Sequence, residues 1–188
     1  MVVVGPDGVG KSGLARTLLE MAPVESGYFH FRPPLRRPLL RGVPSDEAPT
    51  PKNRAEPSVP LGWLRLGLAF IRFWAGYIAA VRPAVRQGGL VVGDRWAYGY
   101  LVQPRGLRYG GPRWLADVMV RSLPSPDLVV NLIAPPIEIH RRKQELTTDE
   151  IADELKAWDG IPAPRMMTID ALETSQEMAA RVLRELDL

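Results

Sequence analysis

The sequence contains no cysteine and only two histidines, and both shortages narrow the chemistry open to the protein. Without cysteine the chain has neither disulfides nor thiolate metal sites. His30 and His140 lie far apart in the sequence without the spacing of a ligand pair, so we expect no zinc site. The absence of cysteine also favours a reducing, cytoplasmic setting.

Long uncharged hydrophobic runs are missing as well. The only candidate for a membrane span covers residues 61–81, and it contains Arg65 and Arg72. Two arginines inside such a span argue against insertion, so we expect no membrane partner. The apolar and aromatic residues of this segment instead favour a buried or dimer-forming helix.

The net charge of +3 hides an asymmetry along the chain. Residues 23–122 contain 15 Lys and Arg against 6 Asp and Glu, a balance of +9, whereas residues 123–188 contain 7 against 13, a balance of −6. A basic half suits an anionic ligand such as a nucleotide. An arginine-rich composition is the alternative explanation, because 20 of the 24 basic residues are arginine. No nucleic-acid recognition motif accompanies the charge, so we expect no nucleic-acid partner.

Short apolar runs alternate with helical patterns, which is typical of an α/β fold with a mainly parallel sheet. The length of 188 residues fits a single domain. The patterns predict five strands, at residues 1–4, 28–31, 90–93, 128–133 and 166–169. They predict helices at residues 11–21, 61–87, 112–121, 136–145, 148–158 and 175–186.

Local signals refine these elements. Thr148 is the expected N-cap of the helix that follows it, and Pro83 should bend or divide the long helix. Residues 32–60 hold 8 of the 19 prolines and show no periodicity. Such a stretch is usually disordered or forms a functional lid.

The segment "GPDGVGKS", from Gly5 to Ser12, satisfies the spacing G-x-x-x-x-G-K-[ST] between an apolar strand and a helix. Glycines let backbone N–H groups close around phosphates, Lys11 reaches the β and γ oxygens, and Ser12 ligates Mg²⁺. The motif therefore predicts binding of ATP with Mg²⁺. The expected cofactor-binding residues are Gly5, Asp7, Gly8, Val9, Gly10, Lys11, Ser12 and Gly13.

Three stretches together resemble thymidylate kinase, a nucleoside monophosphate kinase. They are "GPDGVGKSGLA" at the phosphate loop, "RPAVRQGGLVVGDRWAYGY" with Asp94 and Arg95 at a strand end, and "PDLVVNLIAPPIEIHRRK" with the later "MMTIDALETSQEMAARVL". The resemblance fails mainly over residues 32–60. It implies a three-layer P-loop kinase fold with a five-stranded parallel sheet, one domain over residues 1–188, and a homodimer.

The resemblance also implies roles for individual residues. Asp7 would contact a hydroxyl of the acceptor sugar, and Arg95 would bind the acceptor phosphate. Asp94 would hold Mg²⁺ or its water. The residue pattern agrees for Asp94, because a carboxylate at the tip of a strand beside the loop can share the metal with Ser12. An ordinary ion pair at the strand end is the alternative for Asp94 and Arg95.

Residues 136–158 match the lid of this family. The lid would supply the catalytic arginine, since the phosphate loop carries none; Arg141 is the first choice and Arg142 the second. Guanidinium groups that close over the moving phosphoryl group neutralise its charge. The alternative is a solvated basic helix turn paired with the acidic residues that follow it.

On the acceptor side the resemblance is less complete. Phe70 would stack on the base, with packing in the core as the alternative. Gln103 would lie in the loop near the base, with a loop shaped by glycines alone as the alternative. Trp74 stands where the family has an arginine that contacts the edge of the base, so the sequence leaves the identity of the acceptor base open. Arg32 follows the second strand, where an open parallel sheet presents its ligand loops, and is a further candidate for the acceptor phosphate.

These observations predict phosphoryl transfer from ATP to a nucleoside monophosphate, thymidine monophosphate or a related nucleotide. Lys11, Asp94, Arg95, Arg141 and Arg142 are the expected catalytic residues. A P-loop kinase acting on a hydroxylated or sugar metabolite is the first alternative. A nucleotide-gated scaffold without transfer is the second. A GTP-dependent switch is disfavoured, because the sequence has no Asn/Thr-Lys-x-Asp motif.

Overall fold

Five strands form one parallel sheet in the computed structural model, which describes residues 1–35, 39–43 and 59–188. The strands are β1 (Val2–Val4), β2 (Ser26–His30), β3 (Leu90–Asp94), β4 (Val129–Ile133) and β5 (Met166–Asp170). Their spatial order is β2-β3-β1-β4-β5, and each neighbouring pair is parallel. The phosphate loop therefore leaves the central strand, at the carboxyl edge where ligand loops of parallel sheets gather.

Helices connect the strands, as the sequence pattern predicts. They are α1 (Lys11–Met21), α2 (Val59–Gly76), α3 (Arg82–Arg86), α4 (Gly99–Val102), α5 (Arg113–Arg121), α6 (Pro136–Arg142), α7 (Thr148–Asp159) and α8 (Ser175–Glu185). The short turn Trp96–Tyr98 and the helix α4 were not predicted, because four residues carry too little periodicity to detect.

The long helix predicted over residues 61–87 is divided ahead of Pro83. A π-helical turn, Tyr77–Val81, separates α2 from α3. In a regular α-helix the ring of Pro83 would clash with the carbonyl of Ala79, four residues earlier, and would leave it without an N–H partner. The wider turn relieves this conflict.

The predicted N-cap of α7 is wrong by one residue. Thr147, rather than Thr148, caps the helix: its side chain accepts from the backbone N–H of Glu150, and the Glu150 carboxylate accepts from the Thr147 N–H. The reciprocal pair needs a spacing of three residues, which Thr147 and Glu150 have. Thr174 and Glu177 form the same pair at the start of α8.

The two faces of the sheet are covered by cores of different composition. On one face α1 and α8 bury aliphatic residues such as Val3, Leu14 and Val182, and we call this the aliphatic layer. On the other face α2, α4, α5 and the end of α7 build the aromatic layer. Its buried aromatic residues are Phe29, Phe73, Trp96, Tyr98, Tyr100, Tyr109 and Trp158. Alternate residues of each strand point into opposite layers, which confirms the three-layer α/β architecture.

Among the residues that the structure describes, one helical stretch, Pro60–Arg86, is long and apolar enough by length and composition to cross a membrane, with a mean hydropathy of 1.4. Only 22% of its most apolar window is buried. Leu66, Ala69 and Phe73 face the aromatic layer, whereas Leu64 and Leu68 are exposed. The prediction of disorder or a lid over residues 32–60 falls largely on residues 36–38 and 44–58, which lie outside the described residues.

Candidate functional site

The loop between β1 and α1 is shaped by close backbone approaches at two glycines. Gly5 and Gly8 have φ angles of 138° and 87°, which L side chains rarely adopt. A Cβ on Gly5 would lie 2.8 Å from the carbonyl oxygen of Leu132, and one on Gly8 would lie 2.9 Å from Cβ of Lys143. Only glycine fits at these positions, so the two glycines set the path of the loop's main chain.

Lys11, the first residue of α1, is 5% exposed and folds back over this loop. Its Nζ donates hydrogen bonds to the carbonyl oxygens of Gly5 (3.1 Å) and Pro6 (2.8 Å), and lies 3.6 Å from Oδ1 of Asp7. These oxygens stabilise a buried ammonium group that would otherwise be costly. The ammonium group is thereby held within the loop, where a phosphate chain would be bound. Ser12 follows in the first turn of α1.

Asp94 ends β3 beside the loop and is 2% exposed. The sheet register places it between Val3 of β1 and His30 of β2. His30 Nδ1 lies 3.4 Å from Oδ2 of Asp94, and Arg95 Nε lies 3.8 Å from Oδ1. Burial raises the pKa of Asp94, but His30, Lys11 and Arg95 together outweigh burial and hold it below its ordinary value. Asp94 is therefore a buried, ionised carboxylate.

The residues present fit a magnesium ion. Neither carboxylate oxygen of Asp94 accepts a hydrogen bond of normal geometry from the residues that the structure describes. A buried anion of this kind suits a cation or its bound water. The described ranges contain no group of three or more His, Cys, Asp or Glu that could hold a metal. None is required here, because Mg²⁺ at such sites is bound by one or two protein oxygens, phosphates and waters.

Arg95 sits on a strained turn directly after Asp94. The φ angles of Arg95 and Trp96 are 65° and 51°, and such left-handed conformations cost a non-glycine residue about 1–3 kcal/mol each. Trp96 is held by edge-on ring contacts with Phe29 and Phe73 in the aromatic layer. The turn directs the Arg95 side chain toward the loop, where it forms an ion pair with Asp7. The structure thus brings Asp7, Lys11, Asp94 and Arg95 together.

The predicted lid places its two arginines differently. Arg142 Nη1 lies 3.4 Å from the carbonyl oxygen of Val9 in the phosphate loop. Arg141 is 79% exposed and pairs with Glu138 at 3.0 Å along α6. Successive helix residues point about 100° apart, so the two cannot face the loop together. The placement favours Arg142 over Arg141, the reverse of the order expected from the sequence.

Lys143 also lies against the loop, next to Gly8. The helix α7, which follows, is anchored in the core. Ile151 is buried in the aliphatic layer and Trp158 in the aromatic layer. Because both core layers hold α7, the predicted lid is fixed at this end.

Arg32, predicted to bind the acceptor phosphate, lies just beyond β2 among aromatic rings. Its Nη2 donates to the hydroxyl oxygen of Tyr100 at 2.7 Å, and its Cζ lies 5.0 Å from the ring centre of Phe31 and 5.8 Å from that of Phe73. Tyr100 was missed in the sequence. The only signal for it is an aromatic residue on the short helix after Arg95.

The other two predicted acceptor residues lie on the same face of the sheet. Phe70 is half-buried and packs against the aromatic layer. Trp74 packs edge-on against Tyr77, with 6.1 Å between the ring centres. Gln103 ends α4, and its Nε2 donates to Oε1 of Glu154 on α7 at 3.0 Å. Gln103 therefore links the segment after Arg95 to the lid helix.

No family model matches the chain, and no curated protein matches it. Among solved structures, the chain is similar to the YorR protein from Bacillus subtilis, crystallised in complex with phosphorylated GDP. The TM-score is 0.55 at 15% sequence identity, and the match covers 100% of this chain and 95% of that chain. At this identity the likeness shows the fold alone, an α/β fold of the P-loop kinase type; membership of the thymidylate kinase family stays a prediction.

Proposed function

We propose that the protein is an ATP-dependent phosphotransferase whose acceptor is a nucleoside monophosphate, thymidine monophosphate or a related nucleotide. The observation that carries this proposal is the gathering of Asp7, Lys11, Asp94 and Arg95 around the glycine loop at the carboxyl edge of the sheet. Two of these side chains are cations and two are carboxylates, which are the groups that phosphoryl transfer requires.

The donor half of the site is the loop from Gly5 to Gly13. Its backbone N–H groups and the start of α1 would bind the phosphates of ATP, with Lys11 on the β and γ oxygens. Ser12 and Asp94 would hold Mg²⁺, which supplies neutralisation of phosphate charge. Arg142, already in contact with Val9, would approach the transferred group.

The acceptor half uses Arg95 and Arg32 for the acceptor phosphate and Asp7 for a sugar hydroxyl. Phe70 would stack on the base, and Gln103 would contact its edge. The γ-phosphorus to β-phosphate bond breaks as an acceptor phosphate oxygen bonds to the γ-phosphorus, and ADP leaves. No protein nucleophile is needed, because positioning and charge neutralisation provide the catalysis. The ion pair between Asp7 and Arg95 must open when the acceptor binds.

A second candidate is a kinase for a hydroxylated or sugar metabolite. The position at which thymidylate kinases carry a base-reading arginine holds Trp74, and its indole packs against Tyr77. An inert panel of nucleotides combined with transfer to a sugar would support this candidate. Transfer to any monophosphate at a rate typical of kinases would exclude it.

We propose a homodimer as the assembly. Leu61, Leu64, Leu68, Ile71 and Ile78 are exposed on one face of α2 and its π-helical extension, at alternating spacings of three and four residues through Ile71. This spacing is that of helix seams. Light scattering should report twice the chain mass for the wild type and one chain mass for Leu68→Arg; a monomeric wild type would contradict the proposal.

The decisive experiment couples ADP release to transfer onto a panel of nucleoside monophosphates, with and without Mg²⁺. We expect Mg²⁺-dependent release with at least one acceptor. Lys11→Ala should reduce transfer by at least about 100-fold and weaken ATP binding. Arg95→Ala should reduce transfer by a similar factor while ATP binding is retained. Full activity of either variant would contradict the assignment of that residue.

A further inference from the structure

The surroundings of Arg32 fix its guanidinium group from three sides. The rings of Phe31 and Phe73 lie within cation–π distance, and the Tyr100 hydroxyl accepts a hydrogen bond at 2.7 Å. Nε of Arg32 is shielded from solvent and has no hydrogen-bond partner among the residues that the structure describes. A guanidinium group held this firmly is preorganised, which lowers the entropic cost of binding an anion.

The backbone before Arg32 is bent to bring this side chain to the site. Phe31 has a φ of 57°, and the N–H of Arg32 donates to the carbonyl oxygen of His30 at 2.6 Å. The N–H of Phe31 donates to the carbonyl oxygen of Asp94 at 3.0 Å. The turn therefore starts beside the Asp94–Arg95 step, so the two arginines follow adjacent strand ends.

We propose that Tyr100 is a positioning residue for the acceptor site: its hydroxyl holds the Arg32 guanidinium in place, so that Arg32 and Arg95 bind one phosphate group from two sides. The inference rests on the proposed function for its substrate, but its geometry does not depend on the nature of the base. It extends the site to a residue on α4 that does not itself contact the phosphate.

The ring of Tyr100 has a second role in the same cluster. Its ring centre lies 5.8 Å from that of Phe31 and 6.1 Å from that of Tyr109, so it continues the ring cluster around Arg32. The hydroxyl is thus held by a packed ring, which reduces its freedom to rotate away from Arg32. Tyr100→Phe removes only the hydroxyl and leaves this packing intact.

Tyr109→Phe provides a matched control. Its hydroxyl donates to the carbonyl oxygen of Pro112 at 2.8 Å, and its ring belongs to the same cluster. Both variants delete one phenolic hydrogen bond from the aromatic layer, but only Tyr100 contacts Arg32. A purely structural effect of losing a hydroxyl would appear in both.

The experiment titrates inorganic phosphate into the protein by calorimetry, with the phosphate loop saturated by Mg²⁺ and a non-hydrolysable ATP analogue. We expect Tyr100→Phe to weaken phosphate binding by roughly 10-fold, because a hydrogen bond to a charged group is lost. Tyr109→Phe should bind as the wild type does. Arg32→Ala should show the largest loss, and adding Tyr100→Phe to it should cause no further loss.

Three results would overturn the inference. One is wild-type affinity in Tyr100→Phe, another is an equal effect of Tyr100→Phe with and without Arg32, and the third is phosphate binding that does not depend on Arg32. Should Tyr100→Phe fail to fold, Arg32→Lys keeps the charge but loses the planar fork, and we expect the same loss of affinity. If ATP transfer to every monophosphate is absent while the phosphate titrations behave as expected, the proposed function fails and the positioning role stands.

Discussion

The two faces of the sheet bring different kinds of residue to the site. The proposed donor half centres on one continuous segment, from Gly5 to Gly13, whose shape comes from backbone conformation at glycines next to the aliphatic layer. The proposed acceptor half collects Arg32, Arg95 and Tyr100 from separate elements, and their positions come from rings packed in the aromatic layer. Under the proposed function, phosphate binding would depend on local backbone conformation, whereas acceptor binding would depend on side-chain packing across the fold.

Removing an aromatic ring tests how far the acceptor half depends on packing. Phe73 is fully buried, contacts the rings of Phe31 and Trp96, and lies under Arg32. We expect Phe73→Ala to lower the free energy of unfolding by about 3–5 kcal/mol, from the lost transfer energy and the cavity left behind. Urea denaturation provides the measurement.

Phe73→Leu is the matched control, because it keeps an apolar side chain of similar size. Its cost should stay below about 1.5 kcal/mol. Equal losses in the two variants would show that ring contacts, rather than filled volume, hold this layer together.

The two arginines of the predicted lid test the comparison where the proposed donor and acceptor halves meet. Arg142 contacts the loop at Val9, and Arg141 pairs with Glu138 in solvent. Arg142→Ala should reduce the transfer rate by roughly 100-fold, about 2.7 kcal/mol of barrier, and Arg141→Ala by less than about 3-fold. Steady-state kinetics of the two variants measure this. A larger loss in Arg141→Ala would mean that the lid rearranges before transfer.

The smallest effect concerns the start of α8, which supports the aliphatic layer. Hydrogen bonds from the hydroxyl and N–H of Thr174 lower the pKa of Glu177 from its ordinary value of 4.5. A carboxylate whose pKa is lowered by folding stabilises the folded protein at pH values above its ordinary pKa. This stabilisation is lost as the pH falls through the pKa of the folded state. Glu177→Ala should therefore lower the melting temperature slightly at neutral pH.

The difference between Glu177→Ala and the wild type should vanish in acid, below the pKa of Glu177 in the folded protein. Thermal unfolding followed by circular dichroism across this pH range measures the difference. A gap that persists unchanged in acid would show that the Glu177 charge contributes nothing at this helix start. Because the Glu177 side chain is fully exposed, the expected change in melting temperature is small.

Features that depend on near neighbours in the chain could be predicted without a structure. The glycine loop with Lys11 and Ser12 and the division of the long helix by Pro83 follow from local spacing, whereas the role expected of Arg95 came from the resemblance to thymidylate kinase. The N-cap of α7 was missed by one residue, because Thr147 and Thr148 are chemically equivalent and only the reciprocal contact with Glu150 separates them.

The sequence alone determined the α/β alternation and the phosphate loop, since both depend on residue types at short, fixed spacings. Tertiary structure decided which lid arginine meets the loop, because a helix rotation of one residue separates Arg141 from Arg142. It also decided the contact between Arg32 and Tyr100, which lie 68 positions apart and leave no periodic trace in the sequence. Contacts of that range exist only once the aromatic layer has packed.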